Sequence, residues 1–269
     1  MRVAALLVFA SPAWAQTRPP DAAPTFPESM RTVESRPGVS QRFVLVEPPV
    51  APVASVILFT GGEGALGFTG PGPFPRGGNF LVRNRHAFAQ HGLLVAVIDV
   101  PSDHPGGYGR SRLTDGHATD VAAVIAALRE RAAVPVWLVG TSKGTISAVS
   151  VAARLEKGGP DGVVISSSIT RPASNAQETV YDAGVTGLRV PTLVVHHAND
   201  ACVATPGSDA PSLIARVRAT RKELLLFRGG AGGSSGDRAC GAWAAHGYYG
   251  IDDEVVTAIA KWITATPRR

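Results

Sequence analysis

Several stretches of this chain are apolar at nearly every position, and each is followed by a segment of helical period. Val53–Thr60, Leu93–Val100 and Val134–Val139 are runs of this kind. Short runs rich in Val, Ile and Leu mark strands covered on both faces. Asn79–His91, Asp115–Arg131 and Lys143–Lys157 have helical spacing, and Val121, Val124, Ile125 and Leu128 fall on one face of the second. Gly92 stands at one helix stop and Gly158-Gly159 at another, as chain reversal after a helix favours. Arg42–Val46, Gly162–Ser166, Thr192–His197 and Glu223–Phe227 add strands, and Ser212–Ala219 and Asp252–Thr264 add helices. This alternation predicts an α/β fold with a mostly parallel central sheet and helices on both faces. Ligands of such sheets bind beyond the carboxyl ends of the strands, so the strand-end loops are where chemistry is sought.

A chain of 269 residues, 45% hydrophobic and 17% charged, is long and apolar enough for a buried core and unlike a disordered one. Two Cys exclude a disulfide-built scaffold and a Cys-rich zinc module. The formal charge of +5 comes from scattered basic residues with no aromatic-interleaved run, which argues against a nucleic-acid partner. Residues 1–15 read as a secretory signal peptide. Arg2 supplies the positive start, Val3–Ala10 a short apolar run and Ala13-Trp14-Ala15 a small-x-small cleavage site before Gln16. The apolar run is too short for a bilayer, which takes about 20 residues. Pro19, Pro20, Pro24 and Pro27 make residues 16–41 read as a Pro-rich extension, leaving 42–269 as the folded domain. The expected mature protein is periplasmic or secreted, without stable membrane insertion, and a monomer or homodimer.

Gly140-Thr141-Ser142-Lys143-Gly144 matches G-x-S-x-G between an apolar strand and a helix rich in small residues. That context is the nucleophile elbow, in which a strained turn lifts the Ser hydroxyl to the helix N-terminus. A free hydroxyl is a weak nucleophile and needs a base oriented by an acid. Asp200 lies just past the Thr192–His197 strand and is the acid candidate, ahead of Asp209 and Asp237. His246, beside Gly247 in the loop before the last helix, is the base candidate. His196 and His197 are expected to pack at a strand end, His117 to cap a helix or act as a structural donor, and His86 and His91 to lie on a helix edge. The Ser142–Asp200 and Asp200–His246 intervals each hold one or two strand–helix crossovers. For the oxyanion, Lys143 N–H is one expected donor and Gly62 N–H, or alternatively Glu63 N–H, the other. Gly61-Gly62-Glu63-Gly64 lacks the G-x-x-x-x-G-K-[ST] phosphate cradle.

With the elbow, the order Ser, Asp, His and the glycine loop, Arg42 to Thr264 resembles the α/β-hydrolase fold family. The Ser nucleophile is unlike the Asp of the dehalogenase type. Thr60 stands where many lipases and esterases carry the His of an H-G-G motif, so the resemblance does not extend to a particular subfamily. Family members with large lids insert them after the strand that is here Gly162–Ser166. The short Ser167–Val190 segment therefore implies a small lid or none, and a short-acyl or small polar ester. The resemblance implies hydrolysis of a small-molecule or polymer ester through a Ser142–His246–Asp200 triad and an acyl-enzyme, with no cofactor and no metal. A peptidase or cell-wall ester hydrolase would carry the same triad, and a non-catalytic binding protein could keep the scaffold. Glu63, His104 and Arg110 are expected at the entrance. Cys202 and Cys240 fall on the loops bearing the acid and the base, and export permits oxidation, so a Cys202–Cys240 disulfide is expected.

Overall fold

A computed structural model describes residues 25–68, 74–174, 176–231 and 236–267. The expected signal peptide and residues 16–24 of the expected extension lie outside the described residues. The strands are β1 Glu28–Arg36, β2 Val39–Val46, β3 Ala54–Phe59, β4 Leu93–Pro101, β5 Val136–Thr141, β6 Gly162–Ser166, β7 Thr192–His197 and β8 Lys222–Phe227. The helices are α1 Phe80–Arg83, α2 Arg85–Gln90, α3 Asp115–Arg131, α4 Gly144–Arg154, α5 Ala210–Arg216 and α6 Asp252–Thr264. The strands form one sheet in the order β1-β2-β4-β3-β5-β6-β7-β8. β1 and β2 pair antiparallel, β2 joins β4 antiparallel, and every later pairing is parallel.

The apolar runs are buried on both faces because successive side chains point to opposite sides. Ile57 and Phe59 enter one core with Val121, Val124, Ile125 and Leu128 of α3 and Ile146 and Val149 of α4. Val56 and Leu58 enter the other, with Phe80 and Phe88 of α1 and α2 and Val255 and Ile259 of α6. β3 to β6 are buried at every position. α3 runs over Asp115–Arg131 as its spacing predicts, capped by Thr114 Oγ1, which accepts from the His117 amide.

Four expectations change. The sheet starts at Glu28, inside the stretch read as an extension. β1 is a half-exposed edge strand whose hairpin with β2 turns at Gly38, φ +73°. The expected Asn79–His91 helix is two short helices broken at Asn84, whose side chain donates to Phe80 O (2.8 Å) and Asp252 Oδ1 (2.7 Å). α4 stops at Arg154 because Leu155 is extended. α5 begins two residues before the expected Ser212, with Pro211 in its first turn, where a missing N–H costs nothing, and ends at extended Val217.

Among the described residues, much of the segment after β6 packs against the sheet. Ile169, Val180, Ala183, Val185 and Leu188 are buried in the core on the α3/α4 side of the sheet.

Candidate active site

Ser142 joins β5 to α4 with φ +53°, in the left-handed region. A non-glycine residue there costs of order 1–3 kcal/mol and persists only when its surroundings fix it. The Ser142 amide donates to Ser166 O (3.1 Å), and its carbonyl accepts from the Thr145 amide (3.0 Å) and hydroxyl (2.6 Å). A Cβ on Gly140 would come within 2.5 Å of Gly144 O, and one on Gly144 within 2.1 Å of Phe59 O. The two motif glycines are therefore required by close backbone approach.

Asp200 follows β7 and His246 lies in a tight turn before α6. Each is 5% exposed. His246 Nδ1 lies 3.0 Å from Asp200 Oδ2. Asp200 Oδ1 accepts from the Cys202 amide (2.9 Å), and Oδ2 from the Thr205 hydroxyl (2.8 Å). Thr205 Oγ1 is also 2.9 Å from His246 Nδ1. A hydroxyl that donates its one proton to the carboxylate has only lone pairs left for the ring. Both contacts then require a proton on Nδ1, so that in the neutral ring Nε2 is the nitrogen with the lone pair. The turn that carries the ring is itself held. The Ser167 hydroxyl donates to His246 O (2.8 Å), and Arg83 donates to Gly247 O (2.6 Å) and Ala242 O (3.1 Å).

Ser142 and His246 line one cavity of about 80 Å3 with Gly61, Gly62, Asn79 and Phe80. No hydrogen bond joins Ser142 Oγ to His246 here. Such bonds are commonly long in a free enzyme and tighten when substrate binds. Gly61 packs directly over the nucleophile candidate, since a Cβ on it would lie 3.0 Å from Ser142 Cβ. Gly62, at φ +59°, shares the cavity. Among the described residues the Gly62 and Lys143 amides have no acceptor within the protein. Glu63 faces a second cavity, where its Oε1 meets Lys143 Nζ at 2.6 Å.

Other expectations sort as follows. Arg110 and Glu63 line that second cavity and not the one that holds Ser142 and His246. His104 lines neither; it borders a separate hollow with Arg36, His117 and Asp120. His117 is no donor through its ring. Both nitrogens are buried without a partner, and burial pushes its pKa down to about 3, so the ring is neutral. His196 and His197 are buried at the end of β7 as expected, with His197 Nε2 3.0 Å from Gly229 O. Asp209 is occupied by Arg171 (2.6 Å) and Thr170 (2.9 Å). Thr205 and Arg83 are site residues that sequence reasoning missed, whereas Gly61 belongs to the glycine loop it singled out. Thr205 lies three residues beyond Cys202, but nothing in its local pattern marks it.

Cys202 and Cys240 form the expected disulfide, with a sequence separation of 38. Cys202 carries the amide bonded to Asp200, and Cys240 lines the cavity. Asp200, Cys202 and His246 offer ligand atoms within 4.8 Å of one another. A sulfur already bonded to sulfur is no thiolate, so the trio is not a metal site. Closing a loop of this length stabilises the fold by about 4 kcal/mol in the chain-entropy account. Cys202→Ala with Cys240→Ala is expected to lower Tm by roughly 10 °C. Differential scanning calorimetry checks this, and a Tm unchanged from that of the oxidised parent would contradict it.

No protein-family model and no curated protein matches the sequence. Solved structures do. A dienelactone hydrolase from Anabaena variabilis aligns at TM-score 0.61 and 17% identity, over 90% of this chain and 99% of that one. Est1E from Butyrivibrio proteoclasticus aligns at TM-score 0.58 and 14% identity, over 87% and 97%. A serine hydrolase from Xanthomonas campestris, described as without a lid, aligns at TM-score 0.57 and 17% identity, over 91% and 100%. Likeness at this identity is likeness of fold, and with the strand order and the elbow it gives this chain the α/β-hydrolase fold.

Proposed function

We propose that the chain is an exported serine hydrolase that cleaves a short-acyl or small polar carboxylic ester through an acyl-enzyme. The observation that supports this is the Asp200–His246 hydrogen bond through Nδ1, which in the neutral ring makes Nε2 the basic nitrogen, on a residue that lines the same cavity as Ser142. Ser142 Oγ attacks the ester carbonyl carbon while His246 Nε2 takes its proton. The carbonyl oxygen becomes the oxyanion and accepts from the Lys143 and Gly62 amides. Asp200 stabilises the imidazolium. When the tetrahedral intermediate collapses, the C–O bond to the alcohol breaks and His246 returns its proton to the leaving oxygen. Water, deprotonated by His246, then attacks the acyl carbon; the C–O bond to Ser142 Oγ breaks, His246 returns the proton to that oxygen, and the acid leaves.

Export rests on the signal-like residues 1–15, and the Cys202–Cys240 disulfide fits an oxidising compartment. The cavity of about 80 Å3 and a segment after β6 that packs into the core favour a short acyl group.

Turnover of p-nitrophenyl acetate, butyrate and decanoate by the purified mature protein tests both parts. The expected result is a kcat/KM for acetate or butyrate at least about tenfold above that for decanoate, the cost of crowding about 1.4 kcal/mol of chain. A preference for decanoate would contradict the short-acyl assignment. No turnover of any of the three would contradict the hydrolase.

A further inference from the structure

The two proposed oxyanion donors sit on segments far apart in the chain, and one of them is a glycine loop with little stiffness of its own. Gly62 and Gly64 both have positive φ, +59° and +83°, conformations open to glycine because it is unrestrained. Displacing a catalytic group by about 1 Å costs on the order of 10^2 in rate. Something must therefore hold this loop against the start of α4.

Three side chains do. Lys143 Nζ meets Glu63 Oε1 at 2.6 Å, joining the residue that carries one donor to the neighbour of the other. Arg112 is buried, with Nη2 donating to Gly62 O (2.9 Å) and Nη1 to the Ser147 hydroxyl on α4 (2.6 Å). Its guanidinium lies 4.5 Å from the centre of the Tyr108 ring, and the Tyr108 amide donates to Glu63 O (2.8 Å). Arg112 thus bridges the carbonyl of the Gly62 donor residue and the helix that begins behind the nucleophile. Both hydrogen-bond acceptors of this guanidinium are neutral. Burial lowers its pKa only to about 10, so it stays charged at neutral pH. Lys143 holds Glu63 below the usual carboxylate range, which keeps the ion pair formed at neutral pH.

We propose that Glu63, Lys143 and Arg112 form a clamp that fixes the Gly62 and Lys143 amides at oxyanion spacing. This rests on the serine-hydrolase reading. None of the three side chains need touch substrate; each is a positioning residue. The clamp matters more when negative charge develops on the substrate oxygen than when neutral ester binds.

The Glu63 and Lys143 side chains are 46% and 19% exposed. An ion pair this open adds little stability, so its role in the rate separates from any role in holding the fold. Glu63→Gln and Lys143→Met are each expected to lower kcat on p-nitrophenyl butyrate about 10- to 100-fold, the cost of misplaced donors. KM should stay within about twofold and Tm within about 2 °C. The double variant should lose no more than the worse single one, since both break one contact. Affinity for a trifluoromethyl ketone, whose hemiketal carries the oxyanion, should fall in step with kcat/KM. Arg112→Lys keeps the charge but not the two-pronged reach and should behave alike; if it does not fold, the Glu63 and Lys143 variants carry the test. Wild-type kcat in the singles, losses that multiply in the double, or a Tm that falls with kcat would each overturn the clamp. Labelling of the parent by a fluorophosphonate keeps the outcomes apart: an unlabelled parent means that the serine-hydrolase reading has failed, and a labelled one that any failure belongs to the clamp.

Discussion

Ser142→Ala is expected to lower kcat on p-nitrophenyl butyrate by about 10^5- to 10^6-fold and to leave the fold unchanged. The size follows from loss of the proposed nucleophile, since the members of such a triad act as a unit. The selectivity follows from the packing. Alanine keeps the Cβ against which Gly61 rests, and the backbone bonds to Ser166 and Thr145 do not involve the hydroxyl oxygen. At φ +53° alanine is no more strained than serine. Tm should therefore stay within about 2 °C, since a substitution that empties no core and orphans no buried group costs little. Activity above about 1% of the parent, measured on protein free of parent contamination, would mean that another group attacks the ester.

Asp200→Asn is expected to cost about 10^4 in kcat, from the wrong imidazole tautomer. Asparagine keeps the shape. One of its carboxamide atoms can still accept from the Cys202 amide and the other becomes an NH2 facing His246 Nδ1. Nδ1 must then accept, its proton moves to Nε2, and Nε2 can no longer take the proton of Ser142. Thr205→Val is the milder companion. It removes a hydroxyl that touches both Asp200 Oδ2 and His246 Nδ1 and keeps the volume. Loss of a hydrogen bond to a charged group costs about 1.5–3 kcal/mol, so kcat should fall roughly 10- to 100-fold. Steady-state kinetics on both variants check the order. A loss in Asp200→Asn no greater than in Thr205→Val would contradict Asp200 as the residue that sets the tautomer.

The parts of this fold that the sequence makes legible are those governed by local pattern. Val53–Thr60 and Leu93–Val100 are apolar throughout because both faces of β3 and β4 are covered, and α3 is bounded where its capping Thr114 and apolar face place it. Ser142 is legible because an elbow needs glycines at fixed offsets and a strand and helix on either side. Asp200 and His246 meet because both lie at strand-end loops, where the parallel sheet brings its carboxyl ends together.

What stayed hidden depends on partners distant in sequence. β1 reads as polar because an edge strand buries little of itself and pairs on one side only. The break at Asn84 is fixed by Asp252, 168 residues later. Thr205 matters because it touches His246, and Arg112 because it touches Gly62; no spacing rule encodes either contact. His104 lies in a loop, as an entrance residue would, but that loop turns it toward Asp103.

The most direct test of the triad is to locate the adduct of a fluorophosphonate probe. The purified mature protein is treated with the probe, digested and mapped by mass spectrometry, beside Ser142→Ala and His246→Ala. The Ser142 oxygen should displace fluoride and bond to phosphorus, so the adduct should sit on the peptide that contains Ser142. It should vanish in Ser142→Ala and form far more slowly in His246→Ala. An adduct on another residue, or a parent that stays unlabelled while correctly folded, would contradict an activated Ser142.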